Sequence, residues 1–282
     1  ILFPIEFLTT KRFHDCMVGL GGKLFIPNGR INFESGLGKK GKSPAFGSVV
    51  MKIQDNWEIV LIDNEKLSAP AGMNLGIRKS KSDIIIIFGA HAYADRDFVK
   101  ENVLALENKE VGCAGGVITT VNYSIKGEAI AEAMSCPFGV GNALFRYAEK
   151  ETFVDTVAFG AYRRAVLEEV GLFDEELVRN QDDELNFRVE KSGAKILLSP
   201  KIKSTYYSRG DFKKLWRQYY QYGFWKVRVI QKHKRPASIR HLIPLMFVLF
   251  LTLGGALSIF SKFIKIGYLS ILSLYILLKH PF

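Results

Sequence analysis

The 282-residue sequence is poor in cysteine, with only Cys16, Cys113 and Cys136. Three cysteines do not make a disulfide framework, and no Cys/His cluster has the spacing of a zinc site. These absences exclude a small disulfide-stapled protein and fit a reducing compartment. Apolar residues make up 48% and charged residues 24%, which also excludes a disordered chain. A start at Ile1 and an apolar end predict that the sequence is a fragment.

Acidic residues are almost absent from residues 201–240, where Asp211 stands among twelve lysines and arginines. This segment therefore carries a charge of +11, equal to the net charge of the whole chain. Aromatic residues alternate with the cations between residues 211 and 232, as in a helix that lies on a membrane surface. A helix that packs its aromatic side chains on the domain is the alternative interpretation, and both can apply to different faces. Because an apolar run follows and no nucleic-acid module appears, the charge favours an anionic membrane over nucleic acid.

Charge is absent from Leu242–Phe260, a run of nineteen residues that is long enough to cross ~30 Å of hydrocarbon as a helix. A buried core helix is the alternative interpretation. A second uncharged run, Ile266–Leu278, is short for a span and reads as a re-entrant segment or a second span. The basic flank before the first run predicts an integral protein whose preceding domain faces the cytosol.

Strand-like and helical segments alternate between residues 57 and 117, which predicts an α/β domain with a largely parallel sheet. The β-branched run Asp83–Phe88 is typical of a strand buried on both faces. Since ligands bind at the carboxyl ends of such strands, the pattern points to Gly89–Tyr93 as part of a binding site.

Three consecutive acids, Asp182, Asp183 and Glu184, begin a predicted helix that ends near Gly193. Two interpretations are open. Acids in a first turn stabilise the helix dipole, and a carboxylate in this position could also serve as a general base that takes a proton from an attacking hydroxyl.

Several segments, in this order, resemble the signature of family-two glycosyltransferases. On the donor side these are Ile62–Asn64, Ala69–Ile77 and Gly89–Tyr93; on the acceptor side, Phe159–Arg164, Val170–Glu175 and Gln181–Arg188. Gln218–Lys226, placed before the apolar runs, is similar to exopolysaccharide-type members. Each segment alone is a weak match, but the series in order is specific.

The resemblance implies a GT-A-like α/β domain, with a largely parallel sheet flanked by helices and followed by C-terminal transmembrane helices. It implies a hexosyltransferase-type enzyme that transfers a sugar, with inversion, from a nucleotide-diphosphate-sugar to a hydroxyl of a lipid-linked or glycan acceptor. A bound Mg²⁺ or Mn²⁺ would offset the charge of the diphosphate. The implied regions are the transferase domain (1–200, irregular over 1–56), a basic aromatic interfacial region (201–240) and transmembrane segments at the cell membrane (241–282).

The resemblance also implies roles for individual residues. Asp182 falls at the family's catalytic base, with Asp183 in support. The donor side would be lined by Pro4, Asn74, Ala90 and His91, and His91 falls at the last position of the metal motif. The residues implied to meet the acceptor or a phosphate are Arg163, Arg164, Gln218, Trp225 and Lys226.

The sequence departs from the family pattern on the donor side. Gly89 stands where the first metal-motif Asp is usual, and Ser35 and Lys40 fall where the family carries Asp. Phe3–Thr10 lacks the acidic pair of the family's opening segment. Three interpretations are open: a transferase in which lysines at 39–42 neutralise phosphate, a non-catalytic binding or scaffold subunit, or a degenerate copy.

Overall fold

The computed structural model of the chain describes residues 16–21, 48–49, 61–62, 64–89, 92–235 and 242–278. The chain forms two compact units, residues 1–229 and 230–282. The first unit contains every described strand and the segments that carry the candidate site. The helix α7 (Phe212–His233) begins in the first unit and ends in the second.

A single mixed sheet organises the first unit. Its described strands follow the order β3-β2-β1-β4-β8-β6-β9-β5, and β7 pairs with β9. The strands are β1 (Cys16–Gly21), β2 (Ser48–Val49), β3 (Leu61–Ile62), β4 (Ile84–Gly89), β5 (Ala92–Ala94), β6 (Val111–Val121), β7 (Thr152–Phe153), β8 (Ala158–Arg163) and β9 (Lys195–Tyr207).

The strand directions correct the predicted largely parallel sheet. β1 and β4 are parallel, as are β6 and β9, but β8 is inserted antiparallel between β4 and β6. The sequence of β8, AFGAYR, lacks a β-branched run, so its composition gives little sign of a strand. Periodicity also identifies a strand without fixing the direction of its neighbour, which explains the error.

Six α-helices precede α7 in the described part of the first unit. They are α1 (Ala69–Lys79), α2 (Phe98–Ala105), α3 (Ile125–Ala133), α4 (Pro137–Val140), α5 (Arg164–Val170) and α6 (Gln181–Lys191), together with a short 3-10 helix at Leu144–Arg146. The sequence pattern predicts helices over Pro70–Lys79, Asp97–Leu106, Arg164–Val170 and Asp182–Ser192, and α1, α2, α5 and α6 confirm these bounds to within one residue at each end. The pattern did not predict α3 and α4.

Helices cover both faces of the sheet. On one face, Ile85 of β4 packs in a cluster with Leu185 of α6. On the other, Ile86 packs with Phe98 of α2. Because successive side chains of a strand point to opposite faces, β4 is buried from both sides, as its sequence predicts.

The connection between α6 and β9 orients the start of α6. Only residues 192–194 separate the end of α6 from the start of β9, and the helix packs against that strand. The chain therefore reverses direction there, so the start of α6 faces the edge where β9 ends. β4 and β6 run in the same direction as β9, and their carboxyl ends share this edge.

The second unit is helical. Its described elements after α7 are α8 (Ile243–Leu249), a π-helical segment (Phe250–Gly254), α9 (Gly255–Leu257) and α10 (Lys262–Leu278). Aromatic contacts join Phe247 to Tyr275 and Phe250 to Tyr268. Within the described ranges, none of the helices combines the length and the apolar character needed to cross a membrane.

Candidate functional site

The predicted catalytic acids lie at the start of α6, which is anchored by the residue before it. Asn180 adopts a left-handed backbone conformation with φ of 59°, a conformation that Asn tolerates better than most residues. Its side-chain amide donates to the backbone carbonyl of Tyr222 in α7 at 2.9 Å. This bond holds the first turn of α6 beside the middle of α7.

Asp182, Asp183 and Lys226 form the charged centre of the candidate site. Lys226 Nζ lies 2.5 Å from Asp183 Oδ2, and both side chains are largely shielded from solvent. Asp182 Oδ1 accepts a hydrogen bond from the backbone N–H of Asp183 at 3.0 Å. The prediction that the acidic pair and Lys226 belong to one site thus has a direct geometric basis.

The environment of Asp182 makes its carboxyl a weaker acid than usual. Asp182 is an exposed residue, yet many protein atoms surround its carboxyl group. The loss of surrounding bulk water raises the pKa of Asp182 to about 6, and the charge of Asp183 adds to this rise. The backbone N–H of Asp183 and the charge of Lys226 act in the opposite direction. A carboxyl with a pKa near neutrality suits proton transfer.

Glu184 and Arg188, which belong to the same acidic motif, stabilise the helix. Arg188 binds both carboxylate oxygens of Glu184, at 2.8 and 2.7 Å. The same guanidinium donates to the backbone carbonyls of Val170, Gly171 and Leu172, at 2.5 to 2.9 Å. Glu184 is buried, so this pair attaches α6 to the loop after α5 and leaves the chemistry to Asp182 and Asp183.

A buried polar chain gives α6 a second attachment. The Tyr162 hydroxyl of β8 donates to Asn186 Oδ1 at 2.8 Å, and Asn186 Nδ2 donates to Thr156 Oγ1 at 2.9 Å. Asn186 is fully buried, so its amide needs both partners. This chain fixes the rotation of α6 relative to the sheet and hence the direction of the acidic turn.

Polar groups next to the acidic pair are left without protein partners. Gln218 Nε2 donates to the Tyr222 hydroxyl at 2.8 Å, but Gln218 Oε1 is buried and makes no hydrogen bond to a described residue. Gln181, the residue before Asp182, also has a buried side-chain oxygen, Oε1, that makes no hydrogen bond to a described residue. Buried polar atoms are rarely left unpaired, so both oxygens are suited to accept a hydrogen bond from a bound ligand.

Trp225 is half-buried and packs edge-to-face with Phe224, with ring centres 5.4 Å apart. Its neighbour Lys226 reaches Asp183, so both residues lie on the stretch of α7 that passes the acidic turn. The predicted acceptor or phosphate contact of Trp225 remains a prediction.

Asn74, predicted on the donor side, has a structural role. Its amide donates to the carbonyl of Phe173 at 2.8 Å and to Glu175 at 2.9 Å, and its oxygen accepts from the N–H of Phe173 at 3.0 Å. The side chain is buried, and these bonds occupy its polar atoms. Asn74 therefore joins α1 to the loop before α6.

Arg163 and Arg164 lie at the other edge of the sheet. Arg163 pairs with Ile84, the first residue of β4, whereas the site lies at the end of that strand. Arg163 donates to the carbonyls of Val111, Leu106 and Asn108; Arg164 donates to those of Ser82, Ser80 and Ile77. These contacts give both arginines a structural role, and the geometry provides no support for the predicted contact with phosphate or acceptor.

The remaining donor-side predictions cannot be placed on the structure in the same way. Pro4, Ala90 and His91 lie outside the described residues. Gly89 ends β4 and supplies no side chain. In the part of the chain that the structure describes, no three His, Cys, Asp or Glu side chains form a metal site. The described residues alone therefore do not provide a ligand set for Mg²⁺ or Mn²⁺.

Sequence reasoning missed Tyr222 as a site residue. The protein around Tyr222 raises the pKa of its phenol, and the charge of Asp182 contributes to the rise, which places the ring beside the acidic turn. The signal available was the segment Gln218–Lys226, in which Tyr222 stands one turn after Gln218 and one turn before Lys226.

Part of the chain is similar in sequence to known proteins. Residues 50–171 match the model of glycosyl transferase family 2. A curated transferase of Methanococcus voltae is 34% identical over 180 residues, which are 62% of this chain and 56% of that protein. Its name is dolichyl N-acetyl-alpha-D-glucosaminyl phosphate 3-beta-D-2,3-diacetamido-2,3-dideoxy-beta-D-glucuronosyltransferase.

The succinoglycan biosynthesis protein ExoA of Rhizobium meliloti (strain 1021) is 27% identical over 192 residues, or 66% of this chain and 57% of ExoA. The chain spans little more than half the length of these curated relatives. A crystal structure of GalNAc-T7 with UDP, GalNAc and Mn²⁺ overlays with a TM-score of 0.38 at 14% identity, covering 50% of this chain and 31% of that one. This overlay is too limited for a comparison of sites. In sequence, residues 50–171 are thus similar to glycosyl transferase family 2, and a larger part of the chain is similar to these two curated proteins.

Proposed function

We propose that the protein transfers a sugar from a nucleotide-diphosphate-sugar to a hydroxyl group of a lipid-linked or polysaccharide acceptor. The observation that carries the proposal is the acidic turn of α6, in which Asp182 has a pKa of about 6 and Asp183 is paired with Lys226. The family match and the names of the curated relatives support the class of reaction.

In the proposed reaction, Asp182 accepts the proton of the acceptor hydroxyl. The oxygen of that hydroxyl forms a bond to the anomeric carbon as the bond from this carbon to the diphosphate oxygen breaks. The two oxygens lie on opposite faces of the sugar, so the configuration inverts. A pKa of about 6 leaves Asp182 ionised at pH 7 and keeps it a stronger base than an ordinary Asp.

Asp183 and Lys226 have a supporting role in this proposal. The Lys226 cation pairs with Asp183 at 2.5 Å and favours the ionised form of Asp182. The unpaired oxygens of Gln181 and Gln218 are available to accept hydrogen bonds from sugar hydroxyls. A ligand with several hydroxyl groups at Asp182 would therefore have two hydrogen-bond acceptors, one on the adjacent Gln181 and one on Gln218 of α7.

A metal ion remains a prediction for this chain. If Mg²⁺ or Mn²⁺ binds, it would offset the negative charge of the departing diphosphate. His91 is the predicted ligand, but it lies outside the described residues. The roles proposed for Asp182, Asp183 and Lys226 do not depend on a metal.

We also propose that α7 lies on an anionic membrane, with the transferase domain on the cytosolic side. Four aromatic side chains of this helix are more than half exposed: Phe212, Trp216, Tyr220 and Phe224. The cations Lys213, Lys214 and Arg217 of the same helix are exposed as well. Aromatic and cationic side chains together suit the boundary between lipid headgroups and acyl chains. This location would bring a lipid-linked acceptor close to the acidic turn.

The proposal is tested by incubating the purified chain with nucleotide-sugars and a lipid-linked acceptor and measuring the release of nucleoside diphosphate. Asp182→Asn should reduce transfer by at least about 100-fold, since loss of a general base typically costs 10²–10⁴-fold. Glu110→Gln, a change to an exposed carboxylate at the opposite edge of the sheet, is the matched control and should leave the rate unchanged. Equal rates for Asp182→Asn and wild type would contradict the proposal.

A further inference from the structure

A second polar centre lies close to the acidic turn, around Arg146 in the 3-10 helix Leu144–Arg146. Arg146 Nη1 donates to Thr120 Oγ1 at 2.8 Å. Thr120 is paired with Tyr206 across the parallel strands β6 and β9, near the carboxyl end of each. The guanidinium of Arg146 therefore lies at the edge of the sheet towards which α6 begins.

Two aromatic rings lie close to this guanidinium. Its central carbon lies 5.4 Å from the ring centre of Phe145 and 5.5 Å from that of Tyr206. An aromatic ring attracts a cation but offers its N–H groups no oxygen acceptor, so these contacts do not replace hydrogen-bond partners. Arg146 is half-buried, so part of the side chain remains accessible.

Arg146 has fewer partners among the described residues than three other half-buried arginines. Arg188 binds a carboxylate and three carbonyls, and Arg163 and Arg164 each bind three carbonyls. Arg146, by contrast, forms one hydrogen bond and no ion pair with the residues that the structure describes. Its surroundings lower the pKa of the guanidinium, mainly through burial.

Such a site selects an anion. A guanidinium has five N–H donors in a planar fork that matches the oxygens of a phosphate. Removing a cation from water without a counter-charge is costly, and a bound phosphate would supply that charge. A protein carboxylate would serve as well, but no described carboxylate reaches Arg146.

Helix α7 brings further donors towards the same place. Tyr219 and Tyr222 lie close enough to Arg146 to influence its pKa. The Tyr222 hydroxyl oxygen accepts from Gln218, so the phenolic hydrogen of Tyr222 is available to donate to an anion. The backbone carbonyl of Tyr222 also accepts a hydrogen bond from Asn180, two residues before Asp182, so α7 links the surroundings of Arg146 to the acidic turn.

We propose that Arg146, with Tyr222 of α7, forms a phosphate-binding subsite next to the acidic turn. This proposal rests on the proposed function, in which both the nucleotide-sugar and a lipid-linked acceptor carry phosphate. The bound group is a phosphate or diphosphate of one of these two ligands. Arg146 is assigned to binding and takes no part in proton transfer.

The first test measures binding of inorganic pyrophosphate to the purified chain by calorimetry and by the shift in melting temperature. Arg146→Gln should weaken binding at least tenfold, equal to about 1.4 kcal/mol. Arg146→Lys keeps the charge without the planar fork and should have an intermediate effect. Lys195→Gln removes a cation at the start of β9, the opposite edge of the sheet, and should change binding less than about twofold.

Two results would overturn the subsite. One is equal affinity for pyrophosphate in wild type, Arg146→Gln and Lys195→Gln, which would show that Arg146 only joins β6 to its surroundings. The other is the absence of binding by wild type to pyrophosphate and to every phosphate ligand of the second test. If Arg146→Gln does not fold, the comparison of Arg146→Lys with Lys195→Gln decides in the same way.

The second test identifies the source of the phosphate. UDP, GDP, dTDP and a polyprenyl phosphate in detergent are titrated into wild type and Arg146→Gln. A loss of affinity for a nucleoside diphosphate assigns the subsite to the donor, and a loss for the polyprenyl phosphate assigns it to the acceptor. Unchanged affinities for all four would contradict the proposal.

These measurements need no turnover, so they separate the subsite from the proposed function. A chain that binds phosphate through Arg146 but transfers no sugar would contradict the function and retain the subsite. If the chain transfers sugar but Arg146→Gln binds phosphate as wild type does, the result would retain the proposed function and contradict the subsite.

Discussion

Replacing Lys226 with Met should shift the pH dependence of sugar transfer. The change removes the cation that pairs with Asp183 at 2.5 Å and favours the ionised form of Asp182. Lys226 is 18% exposed and Asp183 is 26% exposed. The free energy of their ion pair should therefore lie between that of a solvent-exposed pair, at most ~1 kcal/mol, and the ~3–5 kcal/mol lost when a buried pair is broken. We take about 1–2 kcal/mol for the pair. The effect on the adjacent Asp182 is smaller, about half a pKa unit to one unit, given ~1.4 kcal/mol per unit.

The assay is kcat/KM for transfer, measured from about pH 5 to pH 9. In wild type the rate should fall as Asp182 is protonated, with a midpoint near its pKa of about 6. In Lys226→Met the same fall should occur about half a unit to one unit higher. Arg228→Met is the matched control, since Arg228 pairs with Glu176 on the exposed side of the same helix and should leave the midpoint unchanged. If Lys226→Met lowers the rate equally at every pH and leaves the midpoint of the pH profile unchanged, Lys226 does not set the pKa of Asp182 and the prediction is wrong.

Three further predictions concern stability and membrane binding. Asp182→Asn should raise the melting temperature at pH 7.5 by a few degrees. The surrounding protein raises the pKa of Asp182 from 3.8 to about 6, so the charged carboxylate lowers the stability of the fold progressively as pH rises between these values. In calorimetry, the difference in melting temperature between the variant and wild type should therefore vanish near pH 4. Arg188→Met should cost about 3–5 kcal/mol in urea unfolding, because it removes the two-point ion pair with buried Glu184 and three bonds to backbone carbonyls; a loss below ~1 kcal/mol would contradict the assigned role. Trp216→Ser with Phe224→Ser should weaken flotation with anionic vesicles at least tenfold, whereas unchanged flotation would contradict the membrane surface assigned to α7.

The sequence predicted the elements of the fold better than their arrangement. The helices α1, α2, α5 and α6 and the buried strand β4 all lie where periodicity and capping residues indicate. The direction of β8 was not predictable, because its small residues carry no clear strand pattern and strand pairing depends on contacts distant in sequence.

The structure brings some of the predicted site residues together. Asp182 and Asp183 start a helix, and Lys226 reaches them from α7. Arg163 binds backbone carbonyls, a role with the same sequence signature as the phosphate or acceptor contact predicted for it. Arg146 gave no signal, because a single arginine in a short 3-10 helix becomes notable only when the structure shows the rings beside it and its single hydrogen bond among the described residues.

The most direct test of Asp182 as the catalytic base is to measure donor binding and a single turnover on the same preparation of Asp182→Asn. We expect the variant to bind the nucleotide-sugar as wild type does, because Asp182 acts on the acceptor hydroxyl. We also expect transfer to fall by at least about 100-fold. Normal transfer in this variant, or a loss of transfer fully explained by loss of donor binding, would contradict the assignment of Asp182 as the base.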